Sequence, residues 1–185
     1  CQVFVLYLFS LYISGKFHEK EKEIEDFLNK FPLVDIDKNV VDKISKFKKI
    51  FFIGRGQDYI TALESSLKLK EITYINSFAI ASGELKHGTL ALIDEKSIVI
   101  AICTEEKTKE KLFSNLEEVK ARNGSVLLVT NFETNFDNIQ IPTFPPSLMP
   151  LVSIIPMQFL ALHICEKLGY NPDKPKNLAK SVTVE

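Results

Sequence analysis

Two short segments hold most of the chain's proton-handling chemistry, residues 63–71 (Leu-Glu-Ser-Ser-Leu-Lys-Leu-Lys-Glu) and residues 83–88 (Gly-Glu-Leu-Lys-His-Gly). From Glu64 to His87 they place three carboxylates, three lysines and a histidine within 24 positions. Glu64, Lys68 and Glu71 are spaced i, i+4 and i+7, so a helix brings them to one face. Such a face is either a solvated ladder of ion pairs or a set of groups that exchange protons. Glu71 has Leu67, Tyr74 and Ile75 as helical neighbours, and a carboxylate wedged among apolar side chains should be partly desolvated. Partial desolvation suits a general base, and Lys68 would moderate it. His87 is the side chain type best suited to proton exchange near neutral pH, although a lone loop histidine is often simply exposed. The other two histidines read as structural, His18 on a charged helix face and His163 within an apolar helix.

These groups need elements to hold them. Residues 50–53 (Ile-Phe-Phe-Ile) form a short apolar run ending at Gly54-Arg55-Gly56, which reads as a buried strand entering a tight turn. A long helix over 58–75 follows and carries Glu64, Lys68 and Glu71. Further apolar runs at 97–103, 125–130 and 138–141 read as strands, with helices over 107–122 and 148–168. Continuous rather than alternating apolar strands, separated by helices, predict a parallel sheet covered on both faces. The expected fold is therefore a three-layer α/β/α sandwich, flavodoxin-like, with its ligand region at the carboxyl ends of the strands. The Gly54-Arg55-Gly56 turn is a candidate for that place. It lacks the dinucleotide fingerprint, because Tyr59 stands at the third glycine position. A plain turn and an anion cradle remain equally open there.

Upstream, residues 1–15 form an apolar stretch stopped at Gly15, residues 18–31 an amphipathic helix ended by Pro32, and residues 40–47 a short helix. Cys1 leads directly into the apolar run, which reads as a core helix rather than a setting for an amino-terminal nucleophile. No initiator Met is present, so the chain is expected to start inside a longer protein. The apolar share of residues 1–13 would be exposed in a lone domain, which points to a missing partner surface.

Composition excludes several classes. The 185 residues carry 23 basic and 24 acidic side chains, and the longest basic stretch, 43–49, is broken by Ile44 and Phe47. No nucleic-acid partner is expected. Three dispersed cysteines show neither a disulfide framework nor metal spacing, which fits a reducing cytoplasm with no metal. The apolar runs 3–13 and 148–162 fall short of a bilayer span, and no membrane partner is expected. The tail 171–185 reads as a terminus, and nothing local promotes Lys180 above the other lysines.

Taken together, Phe52-Ile53-Gly54-Arg55-Gly56, residues 63–71, residues 83–88 and the ending Asn177-Leu178-Ala179-Lys180-Ser181-Val182-Thr183-Val184-Glu185 resemble a known family. They are similar to the C-terminal isomerase domain of glutamine–fructose-6-phosphate aminotransferases, from about residue 49 to the end. The likeness implies a sugar-isomerase (SIS) fold with a five-stranded parallel sheet. It implies Glu71 as the base moving a proton between C1 and C2 of the sugar. It also implies His87 as the ring opener reaching a neighbouring subunit's site, and Lys180 as the amine forming a Schiff base with the open ketose. Glu64, Lys68 and Ala179 would line the same site, and no cofactor is implied. Residues 1–48 would be the end of a preceding isomerase domain plus a helical connector. The implied partners are a sugar phosphate, a glutaminase domain, a first isomerase domain and a second copy in a homodimer. Thr89 and Asn76 depart from the family's usual Pro and His without removing a catalytic group. No Ser/Thr-rich phosphate loop occurs, so the chain alone is expected to be inactive. A different class, a non-catalytic phosphosugar-binding regulator, would not need Glu71, His87 and Lys180 together.

Overall fold

The computed structural model describes residues 2–31 and 35–177. Five strands, β1 (Lys49–Gly54), β2 (Ser77–Ala81), β3 (Ser97–Cys103), β4 (Ser125–Thr130) and β5 (Asn138–Gln140), form one sheet in the order β2-β1-β3-β4-β5. Every pairing is parallel, with Ile50 opposite Ser77 and Ile98, and Val99 opposite Val126. Six helices accompany it: α1 (Gln2–Ile13), α2 (Phe17–Lys30), α3 (Lys38–Ile44), α4 (Gln57–Thr73), α5 (Glu106–Lys120) and α6 (Met149–Lys167).

Alternate residues of the same strands feed two cores. Ile50, Phe52, Ile98, Ile100, Ile102, Leu127 and Val129 point to a layer made by α3, α4 and α6. Phe51, Ile53, Val99, Ala101, Cys103, Val126 and Leu128 point the other way, onto Leu112, Leu116 and Val119 of α5 and onto Leu85, Leu90 and Ile93. With both faces covered, β3 is buried at every position, which is why it reads as an unbroken apolar run. Each buried Ile, Val, Leu or Phe among them contributes roughly 1.5–3 kcal/mol by leaving water.

The strand β2 is the element that the apolar pattern missed. It is an edge strand, paired only with β1, and its middle residues are partly exposed. Its first residue, Ser77, is fully buried and polar, sharing hydrogen bonds with Ser66 of α4. A buried serine followed by half-exposed residues gives no run to detect.

Among the described residues, α6 is the helix long and apolar enough by composition to cross a membrane. It lies instead against the sheet, with Val152, Met157, Leu160, Ala161 and Ile164 buried. Pro150 occupies its first turn, where a missing N–H is unneeded. The helix α1 differs. Val3, Val5, Leu6, Phe9, Tyr12 and Ile13 are all 59–74% exposed, and Leu11 is its one buried residue. Phe4 holds it to Phe27, with ring centroids 5.5 Å apart.

Candidate active site

The order in which successive strands are added reverses between β1 and β3, since β2 lies to one side of β1 and β3 to the other. The loops that follow β1 and β3 meet there. Gly54 lets the chain turn directly into α4: an added Cβ would stand 2.3 Å from the Asp58 carbonyl oxygen. The first turn of α4 is filled from within the chain. Glu105 Oε1 accepts the Gln57 backbone N–H at 2.8 Å, and Asp58 accepts both the backbone N–H and the hydroxyl of Thr104. Glu105 also pairs with Lys107 at 2.7 Å. Burial works against the Glu105 charge, yet Lys107 and the Gln57 N–H hold its carboxyl below the ordinary value. The Gly54-Arg55-Gly56 turn therefore meets the chain's own carboxylate, Glu105, at the Gln57 N–H.

Further along α4, Glu64, Lys68 and Glu71 do share one face. Lys68 Nζ lies 2.7 Å from Glu71 Oε2 and 3.7 Å from Glu64 Oε1. The Glu71 hydrogen bond, opposed by partial burial, keeps the Lys68 ammonium above its ordinary pKa. Glu71 retains 28% of its side-chain exposure. The apolar wedge expected around it is looser than its neighbours' types suggest, because Leu67 is 41% and Tyr74 38% exposed. What positions Glu71 is the lysine one turn back. The arrangement is a half-open carboxylate, oriented by a fixed cation and facing outward from a rigid helix.

The His87 loop is built on a buried anchor. Leu85 is completely buried, while Glu84, Lys86 and His87 point to solvent. Short 3₁₀ turns, Ser82–Glu84 and Thr89–Leu92, flank it. Lys86 pairs with Glu118 of α5 at 2.8 Å, and the Arg55 guanidinium rests against Gly83, 3.5 Å from where a Cβ would be. Among the described residues no hydrogen bond or ion pair joins His87 to Glu64, Lys68 or Glu71. Ala179 and Lys180 lie outside the described residues.

Other groups that sequence reasoning did not single out are Asp58, Glu105 and Tyr74. Asp58 looks like an ordinary acidic residue in a first helical turn. Its partner Thr104 is 46 positions away, so no local spacing reveals the pair. Tyr74 follows α4 with φ of 59°, a left-handed conformation that is rare for a bulky residue.

Residues 43–165 match the SIS domain family model. The isomerizing glutamine–fructose-6-phosphate aminotransferase of Caldanaerobacter subterraneus subsp. tengcongensis is 43% identical, over all of this chain and 33% of the relative. The enzyme of the same name from Pyrococcus horikoshii is 42% identical over 88% of this chain and 29% of the relative. Among solved structures, the C-terminal domain of glucosamine-fructose-6-phosphate aminotransferase from Francisella tularensis aligns with a TM-score of 0.68 at 36% identity. That alignment covers 74% of this chain and 41% of the other. A putative tagatose-6-phosphate ketose/aldose isomerase from Clostridium novyi NT shares the fold, with a TM-score of 0.79 at 21% identity over 97% of this chain and 52% of the other. The chain spans about a third of the length of the first two relatives. The resemblance to a C-terminal isomerase domain is borne out by these matches. The chain belongs to the SIS domain family.

Proposed function

We propose that this chain supplies the isomerase half of a glutamine–fructose-6-phosphate aminotransferase, which makes glucosamine 6-phosphate from fructose 6-phosphate and glutamine-derived ammonia. The observation that carries the reading is the α4 face, where Lys68 holds Glu71 at 2.7 Å with Glu64 on the same side. Isomerisation needs one carboxylate that takes a proton from carbon and returns it to the adjacent carbon. A half-exposed, oriented Glu71 suits that task.

In this reading His87 donates the proton that opens the sugar ring, in the neighbouring subunit of a homodimer. Its outward position on a loop anchored by Leu85 is compatible with that reach. Lys180 then attacks the C2 ketone as a free amine, and water leaves as the imine forms. Ammonia displaces the lysine and restores its amine. Glu71 removes a proton from C1 and delivers it to C2, while the O1 proton passes to the C2 nitrogen, so that C1 becomes the aldehyde and the imine becomes the amine. Glu64, Lys68 and Ala179 line the site, and the steps use side chains alone, with no cofactor.

Residues 1–48 are assigned here to the end of a preceding isomerase domain and its connector, and residues 49–185 to the catalytic isomerase domain. The exposed apolar face of α1 fits a surface meant for that neighbour. The filled first turn of α4 leaves the sugar phosphate to be held by the first isomerase domain, with a glutaminase domain supplying ammonia. A soluble, cytoplasmic setting fits α6 being a core helix. The test is borohydride reduction of the full-length enzyme with fructose 6-phosphate. An adduct at Lys180, lost in Lys180→Arg, is expected, and an adduct at another lysine rejects the assignment.

A further inference from the structure

The proposed reaction joins Glu71 with Lys180, two groups more than a hundred residues apart, and needs a device that holds their separation. The described residues contain one. Tyr74 ends α4 three residues after Glu71, one turn along the helix and on a neighbouring part of its surface. Its backbone N–H donates to Lys70 O, closing the helix. Its side chain meets the segment that follows α6. The Lys176 backbone N–H donates to Tyr74 Oη at 2.6 Å. The rings of Tyr74 and Tyr170 meet edge to face, with centroids 5.0 Å apart and planes at 72°. Lys176 Nζ stands 5.5 Å from the Tyr74 ring and 5.4 Å from the Tyr170 ring, within cation–π range of both.

We propose that Tyr74 is a positioning residue, clamping the start of the carboxyl-terminal segment to the end of α4 and so setting where Lys180 acts relative to Glu71. The inference rests on the proposed function for the roles of those two groups. Three independent features support it. A glycine would close α4 at a positive φ without strain, so a tyrosine there is held by what its side chain does. Gly169, with φ of +75°, turns the chain out of α6 so that Tyr170 comes onto Tyr74. Lys180 then follows Lys176 by only four steps along the chain, which even fully extended span at most about 14 Å. Fixing Lys176 therefore bounds the volume that the Lys180 amine can search.

The variants Tyr74→Gly and Tyr74→Phe separate positioning from folding. Glycine accepts the left-handed backbone but loses both rings' contact and the hydroxyl, whereas phenylalanine loses the hydroxyl alone. In the full-length enzyme, the rate of borohydride-trapped adduct formation with fructose 6-phosphate should fall about tenfold or more in Tyr74→Gly. It should fall by a smaller factor in Tyr74→Phe, and KM for fructose 6-phosphate should stay near the original in both. Amide exchange at Lys176 should rise in both variants, since its acceptor is gone. Trapping by Tyr74→Gly within about twofold of the original rate, or unchanged exchange at Lys176 in Tyr74→Phe, overturns the clamp. The Lys180→Arg enzyme tells this failure from a failure of the proposed function. If Lys180→Arg still traps, the role of Lys180 is wrong and the clamp falls with it. If it does not trap, the Tyr74 variants decide the clamp alone.

Discussion

Both carboxylate oxygens of Asp58 are taken by one residue, Thr104: Oδ2 accepts its backbone N–H at 2.7 Å and Oδ1 its hydroxyl at 2.6 Å. The pair ties the first turn of α4 to the end of β3, at the point where the strand order reverses. Asp58 is 1% exposed. Burial is the largest influence on its carboxyl and lifts it above the ordinary 3.8, with the two Thr104 bonds pulling the other way. The folded chain thus holds this proton more tightly than the unfolded one. The contribution of Asp58 to stability is therefore greatest below 3.8 and is lost as pH rises through the raised folded value.

Asp58→Ala should orphan the Thr104 N–H and hydroxyl, at about 1–3 kcal/mol for each. Asp58→Asn keeps an acceptor for the N–H and removes the titration. Thermal unfolding of the original and Asp58→Asn proteins should diverge as pH rises above 3.8. Parallel curves across that window would show that burial does not govern this carboxyl.

Gly54 should tolerate no side chain. A Cβ there would meet three backbone atoms of α4's first turn, at 2.3, 2.4 and 2.6 Å, and backbone has nowhere to go. Gly54→Ala is expected to cost about 3 kcal/mol, read as a lower midpoint in chemical denaturation. Gly169→Ala meets nothing within 4 Å and carries only the strain of its positive φ, so about 1 kcal/mol is expected. Equal midpoints for the two variants would refute the close approach.

His163 links α6 to the connector ahead of α3, with Nε2 at 3.0 Å from Asp35 and Nδ1 at 3.4 Å from Glu166. The Asp35 hydrogen bond raises its pKa above 6.5, opposed by partial burial and helped by Glu166. Its stabilising effect is complete below 6.5 and is lost as pH rises through the raised folded value. His163→Gln should lower stability by no more than about 1 kcal/mol in acid, a shift of about 2–4 °C for a chain of this length. At alkaline pH the variant and the original should melt together. A deficit that is the same in acid and alkali would mean that ring packing on Phe159, not charge, sets the effect.

Much of this fold was legible because burial on both sheet faces makes β1, β3 and β4 apolar at nearly every position. The edge strand β2 escaped notice because it begins with a buried serine and then faces solvent in part. The α4 face was legible from the spacing of Glu64, Lys68 and Glu71. The surroundings of Glu71 were not, since residue type does not tell that Leu67 and Tyr74 would be substantially exposed. Asp58, Glu105 and Tyr74 act through partners 46, 48 and 102 positions away. Such contacts exist only once the sheet is assembled, so no local pattern encodes them.

The proposed isomerisation depends most directly on Glu71, and the turnover of fructose 6-phosphate by the full-length Glu71→Gln enzyme measures that dependence. The amide keeps the size of the side chain and a partner for Lys68 but accepts no proton from carbon. Turnover should fall by about 10²- to 10⁴-fold, with KM for fructose 6-phosphate little changed. Turnover within about twofold of the original would contradict the assignment of Glu71 as the base.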